Sequence, residues 1–82
     1  MDTYPDTKID FLKDNIRYNL IECRKEHGLT QTEVGEIVGK SKTAVASWEQ
    51  GLSTPDAVTL YRLAMYYHKT MEWMYEWEGE AD

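Results

Sequence analysis

Few residues of this chain stand at spacings that could do chemistry. Cys23 and His27 lie four apart in a run that reads as helix, a separation at which two side chains could share a metal ion. No second ligand pair accompanies them, and His68 is distant in the chain. The favoured reading is a small core cysteine and a solvated histidine near a helix end, with no metal and no cofactor. A lone cysteine also excludes an intramolecular disulfide. There is no glycine-rich phosphate loop, no carboxylate pair in a plausible cleft, and no Ser/His or Cys/His set with a third orienting group. The chain is not expected to be an enzyme.

A second concentration of chemistry is aromatic. Tyr61, Tyr66, Tyr67, Trp73, Tyr75 and Trp77 crowd the C-terminal third, too many for one small core to bury. Trp73 and Met74 are expected inside. Others, with Met71, Tyr75 and Trp77 foremost, are expected to form an isologous patch between two copies. Stacking on single-stranded nucleic acid is the other chemistry open to such rings. Glu72, Glu76, Glu78 and Glu80 among them argue against it.

The charge is −6, the wrong sign for a naive polyanion binder, but its distribution is uneven. Acid gathers at the two ends, from Asp2 to Asp14 and from Glu72 to Asp82. Residues 39–55 instead hold Lys40 and Lys42 against Glu49 alone. Beyond a Debye length of about 8 Å the distant acid is largely screened, so local charge can decide docking.

The elements that position these residues all read as helix. With 41% hydrophobic and 29% charged residues in a chain of 82, the composition is that of one globular domain rather than a disordered segment. No run alternates with period two, and no apolar stretch is long enough for a signal peptide core or a membrane span, so a cytoplasmic protein is expected. Residues 1–7, polar and containing Pro5, read as a flexible arm. A first helix runs from about Lys8, capped by Thr7, to Glu26, with Leu12, Ile16, Leu20 and Cys23 as its apolar stripe and Gly28 as its stop. Thr30 and Glu33 form a capping box that opens a second helix through Val38, with Val34, Ile37 and Val38 facing inward. Ser41 caps a third helix from Lys42 to about Gln50, closed by Gly51. A fourth, about Asp56 to Tyr67, presents Val58, Leu60, Leu63 and Ala64. Thr70 caps a fifth carrying Met71, Trp73, Met74 and Tyr75. The domain thus covers 8–77, and 78–82 is an acidic tail.

Residues 31–50 have the spacing of two helices crossing steeply through a tight turn. Gly35, inside the first of them, costs about 1 kcal/mol relative to alanine, a cost that a close approach between helices would explain. Gly39 falls where the turn needs a positive φ. Val34, Val38, Val45 and Trp48 supply apolar contacts that hold the pair together.

Taken with Gly28-Leu29-Thr30-Gln31, Val34-Gly35, Val38-Gly39, Val45, Trp48-Glu49, Gly51, Pro55, Leu60, Leu63-Ala64 and Trp73-Met74, the chain resembles the Cro/phage-repressor (XRE-type) helix-turn-helix family from about Ile16 to Tyr75. The resemblance implies an all-α, compact five-helix domain of the lambda-repressor kind. It also implies sequence-specific binding of double-stranded DNA by a homodimer on a near-palindromic operator, and a role as a transcriptional regulator. Position by position, it implies that Gln31 bonds a phosphate and braces the recognition helix. Lys40, Ser41, Gln50 and Ser53 would hold the sugar-phosphate chain. Lys42, Thr43 and Ser47 would meet base edges, with Ala46 close by. Lys42 can donate to guanine, and Thr43 and Ser47 can bond a base or touch a thymine methyl, but none offers a bidentate fork. Specificity would then lean in part on DNA shape. Arg24 and Glu49 fall where the family pairs an arginine with a glutamate, implying a partly buried bidentate ion pair of structural role. His68-Lys69 depart from the family's usual glycine or asparagine followed by an apolar residue, which implies an unusual joint before the last helix. A protein-interaction module, such as an antitoxin or phage regulatory factor that binds a protein partner through its acidic aromatic C-terminus, is the competing reading.

Overall fold

Five helices and no strand make up residues 6–76, the part of the chain that the computed structural model describes, with side chains described from Phe11 onward. They are α1 (Asp6–Glu26), α2 (Gln31–Val38), α3 (Lys42–Gln50), α4 (Ala57–Tyr66) and α5 (Met71–Met74). The helix starts are local chemistry. Thr30 Oγ1 accepts from Glu33 N at 3.1 Å while Glu33 Oε1 accepts from Thr30 N at 2.8 Å, closing the capping box of α2. Ser41, Asp56 and Thr70 each accept the backbone N–H three residues on, at the heads of α3, α4 and α5.

The start of α1 differs from expectation. The helix begins at Asp6, so Thr7 lies within it instead of capping it, and residues 6 and 7 belong to α1 rather than to an arm. The apolar stripe is buried from Ile16 through Leu20 to Cys23, but Leu12 is exposed. It sits at the rim of an open groove between α1 and α5, which the four-residue α5 does not cover. Val58 is likewise exposed, at 68%. It lies two residues before buried Leu60, roughly 200° around a helix of 3.6 residues per turn, and so faces away from Leu60, Leu63 and Ala64.

The core joins Ile16, Leu20 and Cys23 of α1 to Val34 and Val38 of α2, Val45 and Trp48 of α3, Leu60, Leu63 and Ala64 of α4, then Tyr67 and Met74. Of the pair expected inside near the C-terminus, Met74 is fully buried, whereas Trp73 and Met71 pack against the core half-buried. Two residues that carry no apolar signal are also inside: Asn15 and Asn19, one turn apart on α1. A four-residue helix leaves its carbonyls without intrahelical partners. Asn19 Nδ2 donates to the carbonyls of Trp73, Met74 and Glu76 at 3.2, 3.1 and 2.7 Å, and Asn15 Nδ2 to that of Tyr75 at 2.9 Å. These amides fasten α5 to α1.

Gly35 is required for a reason other than a close approach between helices. A Cβ there would fall on the carbonyl oxygen of Lys40, in the turn that folds back over α2. The turn is closed by Lys40 N donating to Gly35 O at 2.8 Å, with Gly39 left-handed at φ 72°. One turn thus uses both glycines, and it sets the angle at which α3 leaves α2.

Candidate nucleic-acid interface

The third helix is held from behind and bare in front. Val45 and Trp48 are buried in the core, and Glu49 is only 8% exposed. Arg24 of α1 donates to Glu49 through Nε at 2.7 Å and through Nη2 at 3.0 Å, a bidentate fork, while its Nη1 donates to Leu29 O at 3.0 Å. The hydrogen bond to Glu49 holds the Arg24 guanidinium above its ordinary value, against the opposing effect of burial. Gln31, the first residue of α2, adds Nε2 to Glu49 Oε1 at 3.0 Å. Three helices therefore meet on one carboxylate.

On the opposite side of α3, Lys42 and Thr43 are exposed, Ser41 and Gln50 are exposed at its two ends, and Ala46 and Ser47 are half-buried. These residues share one polar edge on a helix of nine residues, which spans about 13 Å at 1.5 Å per residue. Ser47 Oγ and Ser53 Oγ are hydrogen-bonded at 2.7 Å, joining the helix to the segment that follows it. Lys40 is exposed beside α3 and faces Asp56 at 3.8 Å. Asp56 is itself held below the usual carboxylate range, chiefly by the backbone N–H of Thr59 that it caps.

The residues expected between two copies are not all together. Tyr75 is exposed and lines the groove between α1 and α5, Met71 is half-buried against the core, and Trp77 lies outside the described residues. Tyr67, one of the surplus rings, is inside the core. Its hydroxyl is pushed up to about 12 by burial. The groove brings in Phe11, 63% exposed, which carried no expected role, together with the misplaced Leu12. The step of four residues from Phe11 to Asn15 was the available signal, but only the position of α5 reveals it as a groove wall.

Cys23 is fully buried, and burial pushes its thiol up to about 11, so it stays protonated at neutral pH. His27 is exposed, with its Nδ1–H directed at the Cys23 carbonyl at 2.9 Å and its ring 4.9 Å from that of Tyr67. His27 thus packs at the end of α4, while Cys23 lies in the core. His68, at the turn after α4, takes the left-handed conformation with φ 61°. Lys69, the next residue, lays its ammonium 4.4 Å from the centre of the Trp73 ring rather than packing inward.

A capped helix pair joined by a glycine turn, with the second helix presenting a polar edge, defines a helix-turn-helix domain. A helix-turn-helix family model matches residues 20–74. A relative from Sinorhizobium fredii, described as an uncharacterized HTH-type transcriptional regulator (y4dJ), is 44% identical over 46 residues. That alignment covers 56% of this chain and 60% of the relative, so the chain spans less than two thirds of the relative's length. No solved structure gives a significant match. The chain belongs to the helix-turn-helix family of the Cro/repressor (XRE) type, whose members are DNA-binding transcription regulators.

Proposed function

We propose that the protein is a sequence-specific regulator of transcription that lays α3 in the major groove of duplex DNA and acts as a homodimer on a near-palindromic operator. The observation that carries this reading is the contrast between the two sides of α3. One side is fixed by Trp48, Val45 and the Arg24–Glu49–Gln31 network, and the other leaves Lys42 and Thr43 open to solvent. A rigid helix with a free polar edge is what groove docking requires, because residues near the N-terminus of a recognition helix reach the base edges. Lys42 and Thr43 occupy that first turn and read bases, with Ala46 and Ser47 one turn further along. Ser41, Lys40, Gln50 and Ser53 flank them and hold phosphates. Gln31 keeps one amide N–H for a phosphate while the other remains on Glu49.

The second copy docks on the groove between α1 and α5. Phe11, Leu12 and Tyr75 offer its apolar surface, and Glu72 and Glu76 its rim. Lys13, exposed on the α1 side, supplies the opposite charge that a two-fold contact would set against those glutamates.

Selection from random duplexes, with the mass of the complex measured in parallel, tests both halves. A symmetric consensus with half-sites about one helical turn apart, bound by two chains, is expected. Lys42→Ala should alter base preference, whereas Gln31→Ala should weaken all sequences alike. Failure to enrich any sequence over the starting pool would overturn the reading.

A further inference from the structure

We infer that Arg17, on α1 and outside the helix-turn-helix, is a DNA phosphate ligand that serves the C-terminal end of α3. The inference rests on the proposed docking of α3 and extends it to a residue from another helix. Gly51, the residue that stops α3, has the Arg17 side chain directly against it: a Cβ on Gly51 would lie 3.2 Å from both Cδ and Nε of Arg17. A Cβ there would press on the arginine stem, which would have to shift by a few tenths of an ångström. The guanidinium Nε thereby lies beside the residue that ends α3.

The segment from Gly51 to Pro55 contains no lysine or arginine, and Lys40 and Lys42 both stand at the opposite end of the helix. A helix about 13 Å long spans a major groove about 12 Å wide, so phosphates lie within reach of both of its ends. Arg17 is the basic residue that the fold delivers to the second end. Its side chain is 26% exposed, enough to present the head while the stem is packed. Its Nη2 is 3.1 Å from Tyr18 Oη and 3.5 Å from the half-exposed carboxylate of Asp14, and its guanidinium carbon lies 4.4 Å from the centre of the Tyr18 ring. Tyr18 and Asp14 thus orient the fork. Asp14 also stands in for the phosphate, an exposed carboxylate that a stronger and doubly contacted anion displaces.

Duplex binding measured across a series of salt concentrations tests this assignment. Removing one phosphate contact lowers the slope of log affinity against log salt by about 0.9. Arg17→Gln is expected to show that drop and a several-fold loss of affinity on every sequence, with unchanged base preference and an unchanged melting temperature. Arg17→Lys should keep the wild-type slope. Asp14→Asn, an exposed change that leaves the fold alone, should raise affinity several-fold by freeing the fork. Wild-type slope in Arg17→Gln, or unchanged affinity in Asp14→Asn, overturns the assignment while α3 docking stands. A wild-type protein that binds no duplex overturns both.

Discussion

Glu49 accepts three hydrogen bonds from two other helices while almost wholly withdrawn from water. Such a carboxylate is expensive to strand. Removing Arg24 leaves an unpaired buried charge, which costs more than the pair contributes relative to an apolar pair of similar volume. Arg24→Met and Glu49→Leu should each lower unfolding stability by about 2–4 kcal/mol in urea titrations. The double variant should lose clearly less than the sum of the two, since neither charge is then left alone. Losses below about 0.5 kcal/mol in both single variants would mean that the network does not brace α3. At this scale the sequence was readable where motif position and chemistry agreed, as for Arg24 and Glu49. It was silent on Asn15 and Asn19, because the carbonyls they satisfy lie more than 50 residues away, in a four-residue helix and the two residues after it.

Among the elements, the joints are more informative than the helices. The α2–α3 turn has no room for a side chain at Gly35, where a methyl group would meet a backbone carbonyl instead of a movable side chain. Gly35→Ala should therefore cost about 2 kcal/mol or more and re-aim α3, detected as lost thermal stability together with lost duplex binding. The joint after α4 carries the opposite anomaly. His68 occupies a left-handed conformation, with Lys69 N donating back to Ala64 O at 2.8 Å, a termination that ordinarily employs glycine. His68→Gly should raise stability by about 1 kcal/mol, read from the urea midpoint, because the left-handed strain imposed by a Cβ is removed. Caps and stops were legible because each depends on residues within one turn. The exposure of Leu12 was not: periodicity marks an apolar face, but the length of the neighbouring α5 decides how much of that face is covered, whereas Val58 simply stands on the other side of α4 from Leu60.

For the molecule as a whole, the acid of the C-terminal segment and the head of α3 belong to different elements. Lys42 and Lys40 stand at the head of α3, while Glu72 and Glu76 line the groove between α1 and α5. An isologous contact at that groove would set this acid against Lys13 of the second copy, away from DNA. Phe11→Ser combined with Tyr75→Ser should leave the helical content intact, shift the mass in solution from dimer to monomer, and weaken binding to a symmetric site at least tenfold by removing the second half-site contact. An unchanged mass would place the interface elsewhere.

The claim beneath all of these is that the polar edge of α3 meets the duplex. Mapping amide chemical shifts on titration with duplex DNA tests it most directly. The largest changes are expected at residues 41–47, with smaller ones at Gln31, Gln50 and Ser53. Changes confined to α4 and α5, with the amides of Lys42 and Thr43 unmoved, would contradict it.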